Sequence, residues 1–90
     1  MEVGASNESR GKAAFLLRSV ADGKLSATAA MQDWPFDPDE RWKPAAIALH
    51  ALSHFEDDED IRARDASYAE RTQQELREMA ERLATYGGGQ

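Results

Sequence analysis

Sixteen of the 37 hydrophobic residues in this chain are alanine, and that proportion limits the fold more than any other feature. Leucine, isoleucine, valine and phenylalanine together number only 14 in 90 residues. Burying a whole Leu or Phe side chain contributes about 1.5–3 kcal/mol, and alanine offers a single methyl group. Alanine is, however, the best helix former and small enough to let helix backbones approach closely. A domain this size buries only about 60–65% of the surface its unfolded chain exposes, so its core is thin. The chain has no cysteine, which removes disulfides and thiolate metal sites as substitutes for burial. Few large apolar residues and a net charge of −6 also match the composition of disordered chains, so the case for a fold rests on pattern.

The pattern is helical. All three prolines fall between residues 35 and 44, and Ala, Leu, Glu and Arg dominate elsewhere. A first helix is predicted from about Ser9 to Asp22, with Phe15, Leu16, Leu17, Val20 and Ala21 as its apolar stripe. Gly23 supplies the left-handed stop. A short second helix begins at Ser26, whose hydroxyl can cap the first turn, with Leu25 as a hydrophobic staple on Ala30. Pro35 disfavours helical geometry at Trp34 and ends that helix by about Asp33. The run Trp34-Pro-Phe-Asp-Pro-Asp-Glu-Arg-Trp42 reads as a turn. Asp37, Pro38 and Glu40 have the spacing of an N-cap, a first-turn proline and a capping glutamate, and predict one helical turn over 38–42.

A central helix is expected from Pro44 to about Glu56, because proline tolerates only a first turn. Its apolar residues Ala45, Ile47, Ala48, Leu49, Ala51, Leu52 and Phe55 cover about 200° of the circumference, which predicts a helix surrounded by others. The last helix starts near Asp60 or, after a break, at Asp65, and runs to about Thr85. Ala69, Thr72, Leu76, Met79, Leu83 and Tyr86 form its narrow seam. Arg71 with Glu75, Glu78 with Arg82, and Asp60 with Arg64 have the spacing of helical ion pairs. The expected fold is all-α: a small bundle of about four helices, one of them short, with a Pro/Trp-containing turn before the central one. Residues 1–86 form the domain and the Gly-rich residues 87–90 a flexible tail.

Function classes narrow by exclusion. No apolar run approaches the ~20 residues that span a bilayer, and the N-terminal residues lack a signal-peptide pattern, which implies a cytoplasmic protein without a membrane partner. An acidic chain repels phosphate backbones, so nucleic acid is not the expected partner. No glycine elbow around a serine and no glycine-rich phosphate loop is present, so neither an enzyme nor a bound cofactor is expected.

The net charge divides unevenly. Residues 1–32 carry four bases and three acids, residues 61–90 five of each, and residues 33–60 nine acids and two bases. That middle segment holds the run Glu56-Asp57-Asp58-Glu59-Asp60. Five adjacent like charges repel more than capping a helix requires, and they suit either a solvated helix end or a docking patch for a basic protein. The spacing of a calcium loop is missing. Trp34, Phe36 and Trp42, set among Asp33, Asp37, Asp39 and Glu40, suit either a plug for the end of a bundle or an interface cluster. His50 and His54, four apart on one helix, have the spacing of two ligands to a metal, but the pattern supplies no third ligand between them, and the bland alternative is a pair of amphipathic rings at the edge of an apolar arc.

The layout of a first helix ending Ala-Asp-Gly-Lys-Leu-Ser (21–26), a short helix, and Asp-Asp-Glu-Asp-Ile-Arg (57–62) before a final amphipathic helix resembles small acidic helical proteins of bacteria. Some of these are uncharacterised, and others are bacteriocin immunity proteins similar to the colicin D immunity family. The resemblance implies a basic nuclease toxin as partner, contacted by Asp57, Asp58, Glu59, Asp60 and Asp65. The expected function is therefore a non-enzymatic helical module that presents the acidic segment 33–60 to a basic protein. Glu56, Asp57, Asp58, Glu59, Asp60, Trp34, Phe36, Asp37, Asp39 and Glu40 are the candidate contacts. The alternatives are a self-associating structural protein, a homodimer paired through the seam of its last helix, and a helical metal site at His50 and His54.

Overall fold

The computed structural model describes residues 7–36 and 42–85. It is all-α, with five helices and no strand among the described residues: α1 (Asn7–Ala21), α2 (Ala27–Gln32), α3 (Lys43–Asp57), α4 (Glu59–Arg64) and α5 (Ala66–Thr85). The helical turn expected over 38–42 falls largely outside the described residues, as do Asp37, Asp39, Glu40, Tyr86 and the terminal glycines. Trp42 itself is extended and precedes α3.

Local chemistry sets the boundaries. Gly23 has φ +77°, a conformation cheap only for glycine, and its N–H donates to the Val20 carbonyl as α1 closes. Ser26 is extended and its Oγ accepts from Ala29 N at 3.0 Å, capping α2, a bond that stabilises a helix by about 1 kcal/mol. Pro44 lies in the first turn of α3, which begins one residue earlier than expected, at Lys43. The last helical segment is two helices. Asp65 is extended between them, and its carboxylate accepts from Tyr68 N at 3.1 Å as the cap of α5.

Alanine dominates the interior. Among the described residues fourteen hydrophobic side chains are buried; eight are alanine, and the rest are Leu16, Leu17, Val20, Leu52, Leu76 and Leu83. As the apolar arc predicts, α3 is surrounded, packing against α1, α2, α4 and α5, but α1 is the more deeply buried helix. It buries Ala13, Ala14, Leu16, Leu17, Val20 and Ala21, whereas α3 buries Ala45, Ala48 and Leu52. Arg18, Asp22, Arg77 and Glu81 line one shallow cleft, so positions rise on α1 as they fall on α5 and the two helices run antiparallel. Arg77 bonds Asp22 at 2.8 Å across this pair, and Lys12 reaches Asp33 at 3.2 Å beyond α2. Both pairs are solvent-exposed.

Two residues expected inside lie outside. Phe15 is 65% exposed and Ile47 53%. At 100° per residue Phe15 stands about 160° round the helix from Leu17, and Ile47 about 140° from Leu52. Three consecutive residues span 200° of a helix, so with Leu16 and Leu17 turned inward Phe15 points out. The expected pair within α4 also differs: Arg64 Nε donates to the backbone carbonyl of Asp60 at 3.4 Å.

Trp34, Phe36 and Trp42 form one cluster. All three are half-buried and pack against the core. Phe36 sits between the tryptophans with tilted rings, at centroid distances of 5.9 and 5.6 Å, and such pairs add about 0.5–1.5 kcal/mol beyond their burial. They close the end of the bundle where α2 hands over to α3.

Candidate functional site: the acidic corner between α3 and α4

The described acids of the segment 33–60 do not form one face. Its aromatic part lies before the first turn of α3 and the five-acid run at the last, so a 15-residue helix separates them by about 22 Å at 1.5 Å per residue. At the aromatic end Asp33 is engaged by Lys12. The dense charge is at the other end, where α3 turns into α4.

Each acid there occupies a distinct position. Glu56 and Asp57 are exposed on the final turn of α3, and Glu59 and Asp60 on the first turn of α4. The latter two favour the positive N-terminal end of α4, whereas the former two oppose the negative C-terminal end of α3. Arg62 offsets that opposition. Its guanidinium stacks on the Phe55 ring, 3.4 Å from the centroid, and donates to the Phe55 carbonyl. Asp58 is the corner itself. Its N–H donates to the His54 carbonyl at 2.9 Å, and its own carbonyl accepts from Arg62 N at 3.0 Å. Its carboxylate accepts from the Tyr68 hydroxyl of α5 at 2.5 Å. That bond raises the Tyr68 phenol above its ordinary pKa, with desolvation and the Asp58 charge acting in the same direction.

Beside the corner, α3 and α5 leave a cleft of about 210 Å³. From α3 it is lined by Ala51, His54, Phe55 and Asp58, one helical stripe. From α5 it is lined by Tyr68, Thr72, Glu75, Leu76 and Met79, a second stripe facing the first. Apolar atoms form the inner part, while His54, Asp58, Tyr68 and Glu75 supply polar groups. A second cleft, about 310 Å³, also touches Phe55 and is lined by Glu56, Glu59, Arg62 and Gln73 with the end of α1 and the start of α2. Phe55 lines both clefts; Arg62 lines only the second.

The two histidines meet directly, Nε2 to Nε2 at 3.0 Å. Such a bond requires one imidazole nitrogen to be an unprotonated acceptor. Among the described residues no three His, Asp or Glu side chains gather as a metal site, so the pair offers two nitrogens and no more. His50 and His54 are exposed on the same side of α3 as Ile47.

The sequence reading placed the acids at this corner and missed Arg62, Tyr68 and Glu75. The stack on Phe55 spans seven residues and the bond to Asp58 ten, beyond the three- and four-residue spacings by which a helix surface is read. No helix of the described residues is long and apolar enough to cross a membrane. Compared with protein-family models, curated proteins and solved structures, the chain matches none.

Proposed function

We propose that the protein is a non-catalytic helical binding module that docks a basic protein partner, in the cytoplasm, through the corner between α3 and α4. The observation that carries this reading is the exposure of Glu56, Asp57, Glu59 and Asp60 within one turn on either side of Asp58. Arg62 is folded back onto Phe55 to hold the end of α3, which leaves the outward face of the corner negative. Concentrated charge of this kind speeds encounter with a complementary surface and orients it, with a strength that falls as salt rises. A basic nuclease toxin of the kind that immunity proteins bind is one partner of this chemistry.

Pairing through the seam of α5 is disfavoured as a route to a dimer, because Leu76 and Leu83 are already 2% and 1% exposed within the single chain.

The test is retention of basic proteins. Immobilised protein loaded with native cell extract at low salt is expected to hold basic proteins that elute as salt rises. The triple variant Asp57→Asn, Asp58→Asn, Asp60→Asn, shown to be folded by circular dichroism, is expected to lose them. Equal retention by both proteins overturns the reading.

A further inference from the structure

We infer that the cleft between α3 and α5 receives an arginine side chain of that basic partner. The inference rests on the docking reading above and adds the residue class that anchors it.

Size, polarity and an internal precedent converge on this occupant. Small-molecule sites usually enclose about 300–1,000 Å³, and this cleft holds about 210 Å³, room for one long side chain rather than a whole ligand. Its polar lining includes two carboxylates, beside His54, Tyr68 and Thr72: Asp58 at the end of α3 and Glu75 on α5. The apolar lining contains Phe55 and Leu76, which suits the methylene stem of a long basic residue. Among the described residues no arginine or lysine lines the cleft; Arg62 is held in the second cleft, and the Arg71 guanidinium carbon is 6.0 Å from the Tyr68 ring centroid. His54 also lines the cleft, where its ring is hydrogen-bonded to His50.

The precedent is Arg62. On the second cleft this chain already lays a guanidinium on Phe55 and points it at a carbonyl. A partner arginine in the first cleft would again lie against Phe55, which lines that cleft too, with Asp58 and Glu75 as acceptors. Arginine fits better than lysine because its planar fork serves two acceptors at once and stacks on an aromatic face.

The experiment measures binding of acetylated hexa-arginine amide and hexa-lysine amide at low salt by calorimetry. Two variants change the charge equally: Asp58→Asn with Glu75→Gln inside the cleft, and Asp57→Asn with Asp60→Asn outside it. The amide introduced by Asp58→Asn retains an oxygen for the Tyr68 hydroxyl. A third variant, Ala51→Leu, fills the cleft with no change of charge, and thermal melts establish that each variant is folded. Wild type is expected to prefer hexa-arginine. The cleft charge variant and Ala51→Leu are expected to lose about tenfold in its affinity, and the outer variant about threefold or less. Equal losses in the two charge variants, or no loss in Ala51→Leu, overturn the cleft while leaving the docking reading standing. Failure of wild type to bind either peptide overturns the docking reading as well. Equal affinity for hexa-arginine and for N-acetyl-arginine methylamide makes the cleft a small-molecule site and overturns the partner assignment.

Discussion

From Leu76 onward α5 lies along α1 and buries Leu76, Ala80 and Leu83; from Ala66 to Gln74 the same helix buries nothing and has only half-buried Tyr68, Ala69, Thr72 and Gln73. Against the first half stand Leu17, Val20 and the small residues Ala13, Ala14 and Ala21, each 3% exposed or less. There alanine lets two backbones come close enough for leucines to interdigitate. Against the second half stands α3, which offers Ala51 where a large side chain is needed, and a cleft results. The same small residue therefore tightens one interface and leaves the other open. Which outcome follows depends on whether the helices run side by side or diverge. The closed half carries stability, and the open half carries the acidic cleft.

Truncations put the largest effect on that contrast. Leu83→Ala removes a side chain 1% exposed and is expected to lower the unfolding free energy by about 2–5 kcal/mol. Met79→Ala, on a half-buried residue that lines the cleft, is expected to cost less than about 1.5 kcal/mol. Urea unfolding of both variants decides. Equal losses would mean that the cleft lining is packed as tightly as the interface with α1.

Enlargements probe the same contrast with the opposite sign. Ala80→Leu forces three carbons into a position 0% exposed and is expected to cost about 1–3 kcal/mol. Ala51→Leu extends into the cleft and is expected to stay within about 0.5 kcal/mol of the parent. The thermal midpoints are the readout, at about 4–8 °C per kcal/mol for a domain this size. A destabilisation by Ala51→Leu matching that of Ala80→Leu would show the cleft to be closed to a side chain.

What the residues disclose on their own follows the range of each signal. Gly23, Ser26 and Pro35 act within four residues, and they place the ends of α1 and α2 to within two residues of where they lie. Asp65 is ambiguous in sequence because an aspartate within an acidic helical segment has the same composition as one that caps a new helix; its extended backbone decides for the cap. Phe15 and Ile47 mislead because an apolar run says nothing about rotation, and one residue turns a side chain by 100°. The dense charge of the corner is legible from spacing alone. Its cleft is not, since Asp58, Tyr68 and Glu75 meet only through the placement of α5 on α3. The Asp22–Arg77 pair, 55 residues apart, lies equally beyond local pattern.

The smallest expected effect separates the halves of α5 by pH. On the closed half, the Arg77 hydrogen bond and charge, with Lys24 adding, hold the Asp22 carboxyl below its ordinary value of 3.8 against the opposing effect of desolvation. A carboxyl depressed on folding contributes stability that is present above that value and is lost as pH falls through the folded one. On the open half, the hydrogen bond to Asp58 raises the Tyr68 phenol above 10.0. A phenol raised on folding contributes stability that is present below that value and is lost as pH rises through the folded one. Asp22→Asn and Tyr68→Phe are therefore expected to be destabilising near neutrality and to converge on wild type at opposite ends of the scale, the first in acid and the second in alkali. Both groups are solvent-screened, so the differences are small, and urea midpoints measured against wild type at each pH cancel the titration of every other group. A difference that stays constant with pH for Tyr68→Phe would remove the Asp58 bond as the force that closes the acidic corner onto α5, and the cleft would then owe its shape to Phe55 and Leu76 alone.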